Sequence, residues 1–123
     1  MTGKTAKRIL VVDDEQHIAD IIEKFLVLHG FLAHKAYGGT QALEVLSEEH
    51  GFDLIILDEK MPCMSGTAFR KKMEDMNMKT PVIVLTGSIG MLALCEDNKA
   101  VFKNLMIKPV RLSELLGVIN KLI

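Results

Sequence analysis

The sequence predicts an α/β fold: a single parallel sheet of five strands with helices on both faces. Short, continuous apolar runs recur along the chain. Between them lie stretches with the i, i+3, i+4 spacing of amphipathic helices. Runs that are apolar throughout, rather than alternating, suit strands covered on both sides, which is the condition of a parallel sheet. The order is strand then helix, five times over, and right-handed crossovers turn that order into a sheet between two helical layers.

The first run is residues 9–12 (ILVV). Ile18, Ile21, Ile22, Phe25 and Leu26 then mark a helix, and Gly30 stops it as a C-terminal glycine does. Residues 31–37 (FLAHKAY) are more polar and are placed as an edge strand. Ala42, Leu43, Val45 and Leu46 make the second helix. Residues 54–57 (LIIL) form the third strand, and Phe69, Met73 and Met76 mark the third helix. The fourth strand is residues 82–85 (VIVL), followed by a ragged helix over 91–95. A weaker run at 105–107 (LMI) is the fifth strand. Leu112, Leu115, Leu116 and Ile119 mark the last helix.

The chain has 123 residues, 49% of them hydrophobic and 25% charged, with a net charge of −1. That is one globular domain spanning 1–123, with none of the basic excess of a dedicated nucleic-acid binder. No apolar run approaches the roughly 20 residues of a membrane span. The basic start, MTGKTAKR, leads into only four apolar residues, so it does not read as a secretory signal and a cytoplasmic protein is expected. Cys63 and Cys95 have no framework spacing and read as cytosolic thiols. His17, His29, His34 and His50 lack a metal-binding spacing and read as surface or packing residues. The chain ends soon after the fifth predicted helix, so no DNA-binding output domain is expected within it.

In open parallel sheets ligands bind beyond the carboxyl ends of the strands, where strand order reverses. The first strand ends in Asp13 and Asp14, the third in Asp58, the fourth in Thr86, and the fifth in Lys108 followed by Pro109. Taken singly, each has an ordinary explanation: Asp14 as a helix cap, Asp58 as turn chemistry, Lys108 as a solvated lysine. Their joint placement at corresponding strand ends favours a site. Two carboxylates about 4 Å apart repel by roughly 4 kcal/mol at an effective dielectric near 20. A divalent cation relieves that repulsion. Carboxylate and carbonyl oxygens suit Mg²⁺, which also takes phosphate oxygens. A hydroxyl and an ammonium nearby complete a place where a phosphoryl group could be received.

Four segments, ILVVDDE at 9–15, LDEKMPCMSG at 57–66, PVIVLTG at 81–87 and MIKP at 106–109, resemble the receiver domain of two-component response regulators, including the single-domain chemotaxis type. The resemblance covers nearly the whole chain. It implies a flavodoxin-like (βα)5 fold with strand order 2-1-3-4-5, an order the apolar runs alone do not give. It implies Asp58 as the phosphoacceptor, receiving the phosphoryl group of a phosphohistidine from a histidine kinase or phosphotransfer protein. By the same resemblance Asp13, Asp14, Asp58 and the backbone carbonyl of Lys60 hold Mg²⁺. Thr86, Gly87 and Lys108 hold the phosphoryl group, and Lys60 and Ser88 occupy positions that tune its lifetime. A cis Lys108–Pro109 bond is also implied, an option particular to proline. So is a homodimer through the fourth helix, fifth strand and fifth helix. Such a domain is a signalling switch, with autophosphorylation and autodephosphorylation as its only catalysis.

Two features depart from the family. The aromatic switch residue three before the lysine is replaced by Leu105, so switching by aromatic rotation is not implied. The Gly-Ala turn before the fifth strand is replaced by Val101 and Phe102. Two rival functions have clear marks. A Mg²⁺-dependent phosphatase of the haloacid-dehalogenase kind, working through an aspartyl-phosphate, wants a second acid two residues after the nucleophile, where this chain has Lys60. A phosphorylation-independent pseudo-receiver usually lacks an acid or the lysine, and none is lost here.

Overall fold

The structure is a computed structural model, and it describes residues 6–48, 51–59, 67–86 and 104–123. Five strands, β1 (Arg8–Val12), β2 (Leu32–Ala36), β3 (Leu54–Glu59), β4 (Val82–Thr86) and β5 (Asn104–Ile107), form one sheet. Every pair is parallel and the order is β2-β1-β3-β4-β5. The helices are α1 (Gln16–Leu28), α2 (Gly39–Glu48), α3 (Thr67–Asp75) and α4 (Leu112–Leu122). The predicted helix over 91–95 lies outside the described residues, as do Val101 and Phe102, so α4 is the last helix of the sequence reading.

Each predicted run becomes a strand, with its ends shifted by a residue or two. β1 gains Arg8, whose backbone N–H donates to Asp53 Oδ2 at 2.8 Å and whose guanidinium lies 4.5 Å from the centre of the Phe52 ring. β3 runs one residue past Asp58, because Glu59 still pairs with Thr86. β2 is an edge strand, as its polarity predicts, and it is shorter than the stretch 31–37.

Alternation along the central strands divides the core in two. Leu10, Val12, Ile55, Leu57, Val82 and Val84 face one way and pack with Ala42 and Leu46 of α2 and Met73 of α3. Ile9, Val11, Leu54, Ile56, Ile83 and Leu85 face the other way and pack with Ile22 and Leu26 of α1 and Leu115 and Ile119 of α4. The central strands are thus buried on both faces, which is why they read as unbroken apolar runs. Each such side chain contributes roughly 1.5–3 kcal/mol on burial.

The turn after α1 shows how one glycine sets a path. Gly30 has φ +90°. Its N–H donates to the carbonyl of Val27, and the N–H of Phe31 donates to that of Leu26. These two bonds are a Schellman closure, which requires the left-handed conformation glycine tolerates. The chain is thereby turned directly into β2.

Candidate functional site

Register brings the chemistry together. Val12 pairs with Leu57, so Asp13 leaves β1 alongside Asp58 of β3. Asp58 pairs with Leu85, Leu85 with Met106, and Thr86 with Ile107. The carboxyl ends of β1, β3, β4 and β5 therefore finish at one level. Asp13, Asp58, Thr86 and Lys108 all sit along that rim. It lies where the strand order reverses, with β2 on one side of β1 and β3 on the other.

Asp13 is held firmly. Its backbone N–H donates to the carbonyl of Ala36 at 3.0 Å. Its Oδ1 accepts the N–H of Glu15 at 2.9 Å. The residue is 1% exposed. Asp58 is half-buried as a residue, but its side chain is only 3% exposed. Lys108 Nζ lies 2.7 Å from Asp58 Oδ2, to which it donates a hydrogen bond, and 2.6 Å from Oδ1. Only the Oδ2 contact has hydrogen-bonding angles. Among the described residues Asp58 Oδ1 and Asp13 Oδ2 are buried oxygens with no hydrogen bond.

The electrostatics follow from this geometry. Burial pushes the Asp13 carboxyl from its usual 3.8 up to about 7. The neighbouring Asp58 carboxyl pushes the same way, while the Glu15 N–H and the Lys108 ammonium pull down. Among the described residues Lys108 balances one of the two acids and the other has no counter-charge. Two buried carboxylates sharing one lysine, an Asp13 oxygen without a hydrogen bond, and an acid pushed toward neutrality are what a hard cation would correct. The residues present fit a divalent ion for that reason. Among the described residues no group of three or more Asp, Glu, His or Cys side chains has metal-holding spacing, so the cation would rest chiefly on Asp13 and Asp58.

The other predicted residues fall as follows. Asp14 is exposed, at the position before the Glu15 N-cap of α1. The helix-cap explanation for Asp14 is not what the fold uses. Glu15 is the N-cap, without a side-chain cap bond, and Asp13 takes the Glu15 N–H. Thr86 ends β4. Leu105 lies on β5 opposite Val84. Lys60, Gly87, Ser88, Cys63, Cys95 and His50 lie outside the described residues. The Lys108–Pro109 bond is cis. His29 packs on Phe25, with ring centres 4.5 Å apart, and His34 meets the Phe52 edge at 5.9 Å.

Three features escaped the sequence. One is the direct Lys108–Asp58 pairing, which joins residues 50 positions apart; the resemblance assigned the lysine to the phosphoryl group instead. Another is an ion cluster in which Lys35 Nζ of β2 lies 2.7 Å from Asp20 and 3.2 Å from Glu23 of α1. The i, i+3 spacing of those two acids was its only signal. The last is a groove between α1 and α4 that opens beside Asp58.

Comparison with known proteins supplies independent findings. The model of the response regulator receiver domain matches residues 9–120. The chemotaxis protein CheY of Bacillus subtilis is 31% identical over 117 residues, covering 94% of this chain and 97% of that protein. The transcriptional regulatory protein PrrA of Mycobacterium tuberculosis is 31% identical over 122 residues, covering 99% of this chain but 52% of PrrA. Against several such regulators, the chain spans about half of their length or less. Among solved structures, the response regulator TrrA of Thermotoga maritima, in complex with Mg²⁺ and BeF, superposes with a TM-score of 0.81 at 28% identity over 95% of this chain and 99% of that one.

Proposed function

Because the chain belongs to the response regulator receiver domains of two-component systems, we propose that it is a phosphoacceptor switch whose acceptor is Asp58. The observation that carries this reading is the meeting of Asp13, Asp58 and Lys108, with a buried oxygen of each acid left without a hydrogen bond. A histidine kinase or phosphotransfer protein presents a phosphohistidine. An Asp58 oxygen attacks the phosphorus, the P–N bond breaks, and the imidazole leaves with its electron pair.

Asp13, Asp14, Asp58 and, by the family resemblance, the Lys60 carbonyl would hold Mg²⁺, which when bound would offset the carboxylate charge and polarise the phosphoryl group. Its use is general in the family, and the structural relative TrrA was solved with Mg²⁺ and BeF. Lys108 leaves Asp58 Oδ2 to meet the incoming phosphoryl oxygens, and the family resemblance assigns Thr86 and Gly87 to the same group. The added charge then biases a two-state surface. With Leu105 in the aromatic switch position, that bias travels through Thr86 and Lys108 and not by rotation of a ring. Lys60 and Ser88 set the lifetime of the phosphoryl group. The effector, and a homodimer through the last strand and its flanking helices, belong to this reading, as does a cytoplasmic setting. Among the described residues no helix is long and apolar enough to cross a membrane.

Acetyl phosphate with Mg²⁺ should label the chain with an acid- and base-labile phosphate, measured by intact mass. Asp58→Ala should abolish the label. Equal labelling of that variant would move the acceptor elsewhere, and steady turnover of simple phosphomonoesters would favour the phosphatase reading.

A further inference from the structure

The groove between α1 and α4 has a volume of about 520 Å³. Its walls are aliphatic: Ile21 and Ile22 from α1, Leu85 from β4, Leu112 and Leu115 from α4. Asp58 and Lys108 lie in the same wall. Among the described lining residues they are the only charged groups, and they are paired with each other. The buried members, Ile22, Leu85 and Leu115, are each 5% exposed or less, so the floor is a firm part of the core. Ile21 is 52% exposed and forms an open side wall.

A molecule in this groove therefore has an apolar side to lie on and one end beside the acceptor carboxylate and its lysine. With Asp58 as acceptor, the donor that fits is one whose phosphoryl group sits at that end and whose remaining part is aliphatic. Taking Asp58 as phosphoacceptor, on which this inference rests, we infer that the groove selects small phosphodonors by their acyl group. Acyl phosphates carrying about four to six carbons transfer to Asp58 faster than acetyl phosphate does. The reaction is the same for each. The Asp58 carboxylate forms a bond to phosphorus, the P–O bond to the acyl group breaks, and the carboxylate leaves with the electron pair. Short fatty acids have nearly equal acidity, so their phosphates are nearly equal in leaving group. Differences in rate then report burial of the chain. A fully buried methylene gives up to about fourfold, and an open groove roughly half of that in each step.

The test compares initial rates of Asp58 labelling from acetyl, butyryl and hexanoyl phosphate at equal concentration with Mg²⁺, read by intact mass on the full chain. The expected result is a rise with chain length, to about tenfold for hexanoyl over acetyl. The hexanoyl-to-acetyl ratio should fall at least twofold in Ile21→Ser, a change at a half-exposed wall position that the fold tolerates. Equal or declining rates with chain length in the wild type would overturn the inference while leaving acetyl phosphate labelling, and the acceptor reading, intact. A ratio unchanged in Ile21→Ser would also overturn it. Labelling from none of the donors would remove the acceptor reading and this inference together.

Discussion

Asp13 makes the metal-free protein sensitive to pH in an unusual direction. Its carboxyl has an ordinary value of 3.8 and is held at about 7 in the fold, first by burial and then by Asp58. The native state thus keeps a proton that the unfolded chain releases. For a raised carboxyl the associated stability is fully present below the unfolded value. It is lost as pH rises through the folded one. The shift is about 3 units, and at 1.36 kcal/mol each it amounts to at most about 4 kcal/mol lost between pH 4 and 8. Asp13→Asn removes the titration but keeps an oxygen to accept the Glu15 N–H. The variant should therefore gain on the wild type across that interval. Against total stabilities of roughly 5–15 kcal/mol, such a gain is large. Urea unfolding followed by far-UV circular dichroism suits a chain without tryptophan. With EDTA present, and a slope near 2 kcal/mol per molar, the gap between the two midpoints should widen by up to about 2 M from pH 4 to pH 8. A gap that stays constant, or narrows, would refute the assignment of a buried, proton-holding Asp13.

Other outcomes follow from the same geometry. Mg²⁺ should stabilise the wild type at pH 8 by about 2.7 kcal/mol at a hundredfold excess over Kd and should do much less for Asp58→Ala; shifts of the thermal or urea midpoint read both. Lys108→Met should destabilise the metal-free protein by about 1–3 kcal/mol, less than the roughly 3–5 of a wholly enclosed pair because the lysine side chain is 37% exposed. An unchanged urea midpoint would count against the Asp58 contact. Leu26→Ala, at a position fully enclosed between α1 and the sheet, should cost about 2–5 kcal/mol by the same measurement. The Asp20 carboxyl is held below its usual range by Lys35. That contribution is present above pH 3.8 and fades as pH falls through the lowered value, so Lys35→Met should flatten the acid limb of wild-type stability, as measured by acid titration of circular dichroism.

How far the amino acids alone lead depends on what surrounds each residue. Residues 9–12, 54–57 and 82–85 were legible because helices cover both of their faces and nothing polar interrupts them. The fifth strand was faint for the opposite reason: β5 is an edge, and Ile107 is 46% exposed. The stretch 31–37 was read too long because an edge strand frays into its turns without a change in composition. At the site, the strand-end positions of Asp13, Asp58 and Lys108 were legible because parallel strands of similar length finish together. The Lys108–Asp58 bond was not, since it depends on two strand registers multiplied across β4. Nor was the shift at Asp13, since burial is a property of the assembled sheet and not of the DD pair.

The lysine that closes on Asp58 starts from the wrong strand for a short reach. β5 and β3 are separated by β4, and two strand spacings come to about 10 Å. The side chain must straddle its neighbour like a plank laid across a gap. Arginine could match that length but would arrive as a flat fork, not as a compact point charge. Ornithine-length or smaller amines would stop above β4, and among the described residues the carboxylate below would have no other cation.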